Sequence, residues 1–153
     1  MRATSGNLNR VPLAPKPRWA VLISGRGSNL SSLLLNTDFD IRLVVSSSDS
    51  AEGLLKARRA GVPTRIAPTK RTLTGKTKLD FEKLSEELAQ CGITHVLLAG
   101  FMKIVPASFV SRWNGKILNL HPSMLPLYPG LDSIQNAFAA GADMGVTVHE
   151  VNE

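Results

Sequence analysis

Trp19-Ala-Val-Leu-Ile-Ser-Gly-Arg-Gly-Ser-Asn-Leu30 is the stretch that decides the fold. Its first six residues form a short apolar run that reads as a buried strand. Gly25-Arg26-Gly27 breaks the run, and Ser28 suits the N-cap of a helix. Residues 29–36 then carry leucines at 30, 33, 34 and 35, so a helix follows directly. A strand that turns straight into a helix is the opening of a βαβ unit.

The same alternation extends outward along the chain. Strands are expected at 41–45, 62–66, 95–99, 116–120 and 146–151, each a short run rich in apolar or β-branched residues. Helices are expected at 51–60, with Gly61 as its C′ residue, and at 79–90, where 81, 84 and 88 share a face and Gly92 ends the run. Two shorter helices are expected, one from Pro106 to 112 and one at 133–140 before Gly141. Residues 67–78 are polar and basic and read as an exposed loop, and 121–130 as a loop with three prolines. The fold class is therefore α/β: a doubly wound, mostly parallel, Rossmann-like sheet covered on both faces.

Composition narrows the class of protein. The chain has 153 residues, 43% of them apolar, which suits one core. One cysteine, Cys91, excludes an internal disulfide, and no apolar run approaches the ~20 residues of a membrane span. No signal-peptide core is present near Met1. These features predict a soluble, cytoplasmic protein that binds no membrane. The net charge is +6, of which residues 1–18 supply +4 through Arg2, Arg10, Lys16 and Arg18. The remainder holds 14 basic and 12 acidic residues. The domain organisation expected is a basic, Pro-containing, disordered leader at 1–18 and one domain at 19–153. A few dispersed charges make a poor nucleic-acid footprint, so no nucleic-acid partner is expected.

Open parallel sheets bind ligands beyond the carboxyl ends of their strands, so the loops after the strands are the informative segments. Ser24–Leu30 offers glycines for close backbone approach and a helix start that suits phosphate. It lacks the third glycine of a dinucleotide fingerprint and the Lys of a P-loop. A structural tight turn, a monophosphate site and a dinucleotide site all stay open on these residues alone. Asn119-Leu120-His121-Pro122-Ser123 leaves the fifth strand, and strand alternation puts Asn119 and His121 on one side. An amide can donate to a developing oxyanion, and an imidazole can exchange protons. A hydrogen-bonded pair that merely ends the strand is the alternative. Ser123 lacks a nucleophile-elbow context. His95, His121 and His149 have no metal-ligand spacing, so no metal is expected. His95 and Cys91 read as structural, and His149 as a core residue or a support to the site.

Together these segments resemble the folate-dependent phosphoribosylglycinamide formyltransferase family of purine synthesis. The matching stretches are Val21–Leu30, Ala51-Glu-Gly-Leu54, Leu98-Ala-Gly-Phe-Met-Lys-Ile104, Leu118-Asn-Leu-His-Pro-Ser-Met-Leu-Pro126, Tyr128-Pro-Gly-Leu131 and Gly145-Val-Thr-Val-His149. Tyr128-Pro-Gly-Leu131 favours this branch over methionyl-tRNA formyltransferases, which usually carry an Arg-Gly-Ala-type sequence there. The resemblance implies formyl transfer from 10-formyltetrahydrofolate to 5-phosphoribosylglycinamide, with Asn119 and His121 as catalytic residues. It implies that Gly25, Gly27, Ser28 and Asn29 hold the substrate phosphate, and that Phe101, Met102, Lys103, Ile104 and Val105 line the folate site. The family's third catalytic residue, an Asp in an Asp-x-Gly-Pro motif, has no match up to Glu153. The resemblance thus covers the N-terminal three-quarters of the family domain. A non-catalytic phosphate-binding fragment, a tRNA-directed formyltransferase and a dinucleotide-dependent oxidoreductase are the alternatives. Oligomeric state is not legible.

Overall fold

The computed structural model describes residues 15–130 and 132–152. The first 14 residues of the expected leader, and Leu131 and Glu153, lie outside the described residues. The chain runs β1 (Arg18–Ile23), α1 (Ser28–Leu34), β2 (Asp40–Ser46), α2 (Glu52–Arg59), β3 (Thr64–Ile66), β4 (Thr69–Arg71), β5 (Thr77–Leu79), α3 (Phe81–Gln90), β6 (His95–Ala99), α4 (Ala107–Arg112), β7 (Ile117–His121), α5 (Ser133–Ala139) and β8 (Thr147–Glu150). Six strands form one sheet in the order β3-β2-β1-β6-β7-β8. All neighbours are parallel except β7 and β8, which run antiparallel.

The apolar runs are explained by burial on both faces of the sheet. Ala20, Leu22, Leu43, Val45, Val96, Leu98 and Ile117 point to one side, where they meet Leu84 and Leu88 of α3 and Phe109 and Val110 of α4. Trp19, Val21, Ile23, Val44, Leu97 and Ala99 point to the other, where they meet Leu30 of α1 and Leu54 and Ala57 of α2. Alternate residues of each central strand thus feed separate cores, so neither side can be polar. Leu118 and Leu120 join the second core while Ile117 joins the first. Asn119 and His121 therefore share the α3/α4 side with Ile117.

Several boundaries differ from expectation for identifiable reasons. Ser28 does not cap α1. Gly27 occupies the N-cap position in the left-handed conformation (φ 67°), and Ser28 is the first helical residue. Leu79 does not open α3 but ends β5, and Asp80 caps the helix by accepting the Lys83 N–H at 3.2 Å. Pro106 is the residue before α4 rather than within it. Residues 67–78 are not simply loop: Thr69–Arg71 pairs antiparallel with Thr77–Leu79. The hairpin closes through Thr72, whose carbonyl accepts the Gly75 N–H at 2.9 Å, with Gly75 at φ 77°. Its strands are nearly all polar, so no apolar alternation betrays them.

Aromatic side chains brace both cores. Trp113 Nε1 donates to Ser85 Oγ at 2.7 Å in a buried setting. Trp113→Phe is expected to cost about 2 kcal/mol, because Ser85 loses its indole donor in the interior. Denaturant midpoints would check this, and the added Ser85→Ala change should recover part of the loss. His95 is structural, as expected: its ring lies 4.9 Å from Trp19, and its Nδ1 is 2.9 Å from Thr94 Oγ1. Burial, with the Lys116 ammonium adding to it, holds the imidazole below the usual histidine range.

Candidate active site

The strand order places the site. From β1 the chain moves outward through β2 to β3, then returns to the other side of β1 as β6. The order reverses between β1 and β6, the kind of switch point beyond whose strand ends open α/β sheets bind ligands. The first loop carries Gly25, Gly27, Ser28 and Asn29, and the second carries Phe101, Met102, Lys103, Ile104 and Val105. The next strand outward is β7, which brings Asn119 and His121 to the same end. All three groups of sequence-predicted residues therefore lie at the carboxyl end of the sheet, on the adjacent parallel strands β1, β6 and β7.

The two loops at the reversal are tied to each other. Ser24 N–H donates to the Gly100 carbonyl at 3.1 Å, and Met102 N–H donates to Ser24 Oγ at 2.8 Å. Ser24 Oγ also lies 2.7 Å from Ser47 Oγ at the end of β2. Sequence reading missed this serine link, which no spacing rule signals. Ser24→Ala is expected to free the 101–105 segment and speed hydrogen exchange of the Met102 amide about fivefold, one ordinary hydrogen bond's worth. Hydrogen-exchange rates of the two proteins would check this.

The two glycines of the turn have different reasons. A Cβ at Gly27 would stand 2.8 Å from Gly53 Cα, and Gly53 N–H donates to the Gly25 carbonyl at 3.1 Å. Gly27 is thus demanded by the close approach of α2 as well as by its positive φ. Gly53, in the Ala51–Leu54 stretch, is the missed partner in this contact. A Cβ at Gly25 would meet nothing within 4 Å, so no packing requires a glycine there. Ser28 and Asn29 are exposed beside it.

Around β7 the polar groups are individually anchored. His121 Nε2 lies 3.2 Å from the Tyr128 carbonyl. A carbonyl only accepts, so Nε2 carries the proton and Nδ1 is left with no partner among the described residues. Ser123 Oγ donates toward the Leu127 and Tyr128 carbonyls at 2.9 and 3.0 Å, which makes it a holder of the loop and not a nucleophile. Thr147 Oγ1 donates to the Ser123 carbonyl at 2.7 Å and accepts the Leu125 N–H at 3.0 Å, pinning the same loop to β8. Asn119 Nδ2 lies 3.1 Å from His149 Nε2, its register partner across the β7–β8 ladder. His149 therefore supports the site rather than the core.

A cavity of about 670 Å³ opens between the β4–β5 hairpin and the start of α4, lined by Ser47, Lys78, Phe81, Lys103, Ile104 and Ser108 among others. Of the sequence-predicted residues only Lys103 and Ile104 reach it. Lys70 on its rim is held by Asp80 at 3.0 Å and Glu82 at 3.2 Å, and these bonds raise its pKa while lowering that of Asp80. Lys78 and Lys103 make no ion pair among the described residues. Among the described residues no group of three or more His, Cys, Asp or Glu side chains is placed to hold a metal ion. None of their helices is long and apolar enough to cross a membrane.

The doubly wound sheet carries an Asn-x-His pair and a Gly-rich turn at the same strand ends, and sequence comparison gives the class: residues 17–153 match the formyl transferase family model, so the chain belongs to that family. Within it, the chain is similar to phosphoribosylglycinamide formyltransferases. It is 32% identical to the Bacillus subtilis enzyme over 89% of this chain and 72% of that one. It is 42% identical to the human trifunctional purine biosynthetic protein adenosine-3 over 90% of this chain, but spans only 14% of that protein's length. Among solved structures, the phosphoribosylglycinamide formyltransferase of Anaplasma phagocytophilum superposes with a TM-score of 0.79 at 41% identity, covering 91% of this chain and 66% of that one. Glycinamide ribonucleotide transformylase 1 of Symbiobacterium toebii superposes with a TM-score of 0.78 at 33% identity, covering 98% and 72%.

Proposed function

We propose that this chain carries the centre that moves a formyl group from 10-formyltetrahydrofolate to the amine of 5-phosphoribosylglycinamide in purine biosynthesis. The observation that carries the reading is the Asn119–His121 pair. Each side chain has one polar group anchored by the protein and another left over for a ligand. In the reaction, the amine nitrogen bonds to the formyl carbon and the carbonyl electron pair moves onto oxygen. Collapse then breaks the bond to N10 of the folate, and the proton lost by the amine ends on N10. Asn119 has a second Nδ2–H to donate to the oxyanion. His121 Nδ1 is the atom that accepts the amine proton and passes it on. The nucleophile belongs to the substrate, so no activated Ser or Cys is required.

The remaining segments take the substrates' other ends. Gly25, Gly27, Ser28 and Asn29 hold the phosphate, where the open surface at Gly25 admits an oxyanion against backbone. Phe101, Met102, Lys103, Ile104 and Val105 line the folate site. The adjoining cavity, with unpaired Lys78 and Lys103, suits the carboxylates of a folate's glutamate tail. The lone free Cys91 suits the reducing cytoplasm, where we place the reaction.

The test is formyl transfer followed by the absorbance of the folate product. Because the chain spans 72% of the Bacillus subtilis enzyme, it is assayed alone and joined to that enzyme's C-terminal segment. Turnover in either form is expected. A folded protein, checked by circular dichroism, that binds neither substrate in either form overturns the reading. Phosphate-ester binding without turnover in either form selects the non-catalytic alternative.

A further inference from the structure

We infer that His149 is a positioning residue that selects which end of the Asn119 side-chain amide faces the reacting atoms. His149 Nδ1 lies 2.9 Å from the carbonyl of Glu150, and His149 Nε2 lies 3.1 Å from Asn119 Nδ2. A carbonyl accepts only, so the ring proton sits on Nδ1. In the neutral ring Nε2 then holds a lone pair and is a pure acceptor. Only the NH₂ end of an amide can satisfy it, because turning the amide over would set Oδ1 against the same lone pair. The carbonyl of Glu150 thus fixes the tautomer of His149, and that tautomer fixes the amide of Asn119.

The placement makes the selection effective. Asn119 and His149 are direct partners in the antiparallel β7–β8 ladder, so the strands hold the ring and the amide at one level. Both residues are only half-buried. Without a fixed acceptor, such an amide would sample both orientations, and one of them presents an oxygen where a donor is needed. With the acceptor in place, one Nδ2–H is spent on His149 and the other stays in a defined direction. The value of that direction rests on the formyl-transfer reading, since an oxyanion is what the second N–H would meet. The hydrogen-bond logic does not rest on it.

The test uses the whole chain without substrate, so it stands apart from the outcome of the formyl-transfer assay. Correlation spectra of ¹⁵N-labelled protein report which nitrogen of each imidazole is protonated and resolve the side-chain amide protons of Asn119. His149 is expected as the Nδ1–H tautomer with a bare Nε2. One Asn119 amide proton should exchange with water about tenfold more slowly than in His149→Phe, the factor an ordinary hydrogen bond supplies. His149→Gln, which keeps an acceptor oxygen, should restore most of that protection. An Nε2–H tautomer in the wild-type chain overturns the inference. So does Asn119 exchange that is equal in the wild type and His149→Phe, or equal in the Gln and Phe variants.

Discussion

Replacing His121 with alanine is expected to lower formyl transfer by about 10²–10⁴-fold, the range that a positioned acid–base group contributes. The change removes Nδ1, the ring atom assigned to the transferred proton. It should leave the fold intact, because the Tyr128 carbonyl released by His121 Nε2 remains within 3.0 Å of Ser123 Oγ. The loss should therefore appear in turnover at saturating substrate, with calorimetric binding of phosphoribosylglycinamide unchanged. The measurement belongs on whichever form of the domain turns over in the assay described above. An unchanged rate would remove His121 from the chemistry and leave it as a brace for the 121–128 loop. A variant that lost phosphate-ester binding as well would point to a role in shaping the crevice.

Gly27→Ala is expected to destabilise the domain by about 2–5 kcal/mol. A left-handed backbone costs an L-residue roughly 1–2 kcal/mol. The added Cβ would also stand 2.8 Å from Gly53 Cα, a backbone atom that cannot swing aside. Overpacking of this kind costs about 1–3 kcal/mol. For a domain of this size the melting temperature should fall by about 10 °C. Gly25→Ala is the matched control. Its Cβ meets nothing within 4 Å, so stability should be nearly unchanged while phosphate-ester binding weakens. Equal melting temperatures for the two variants would show that α2 yields to the new methyl group and that the turn is not held by this contact.

The contrast between those glycines shows where reading the sequence stops. Gly25-Arg26-Gly27 left a tight turn, a phosphate site and a dinucleotide site all open. The tight turn is real at Gly27, and its cause lies at Gly53, 26 positions further along the chain. The error at Ser28 lies at the same turn: a serine before leucines at helical spacing looks like a cap, but the left-handed Gly27 takes the position, packed against Gly53 of α2. The hairpin at Thr69–Arg71 and Thr77–Leu79 escaped notice because its strands bury almost nothing. Backbone pairing and a turn at Gly75 form it without the apolar alternation on which strand reading depends.

The sequence alone determined the layered α/β fold, because buried parallel strands need apolar residues on both faces and their helices need them on one. It also placed Asn119 and His121 on a common side, since the two-residue period of a strand is a local property. What brought them to the same end of the sheet as the Gly-rich turn and the 101–105 segment was the strand order, in which β6 returns beside β1 and β7 follows it. Tertiary structure alone paired Asn119 with His149, through an antiparallel β8 that crosses 30 positions of sequence. Hydrogen-bond partners at such separations are set by register between strands, and register is decided only when the whole sheet has assembled.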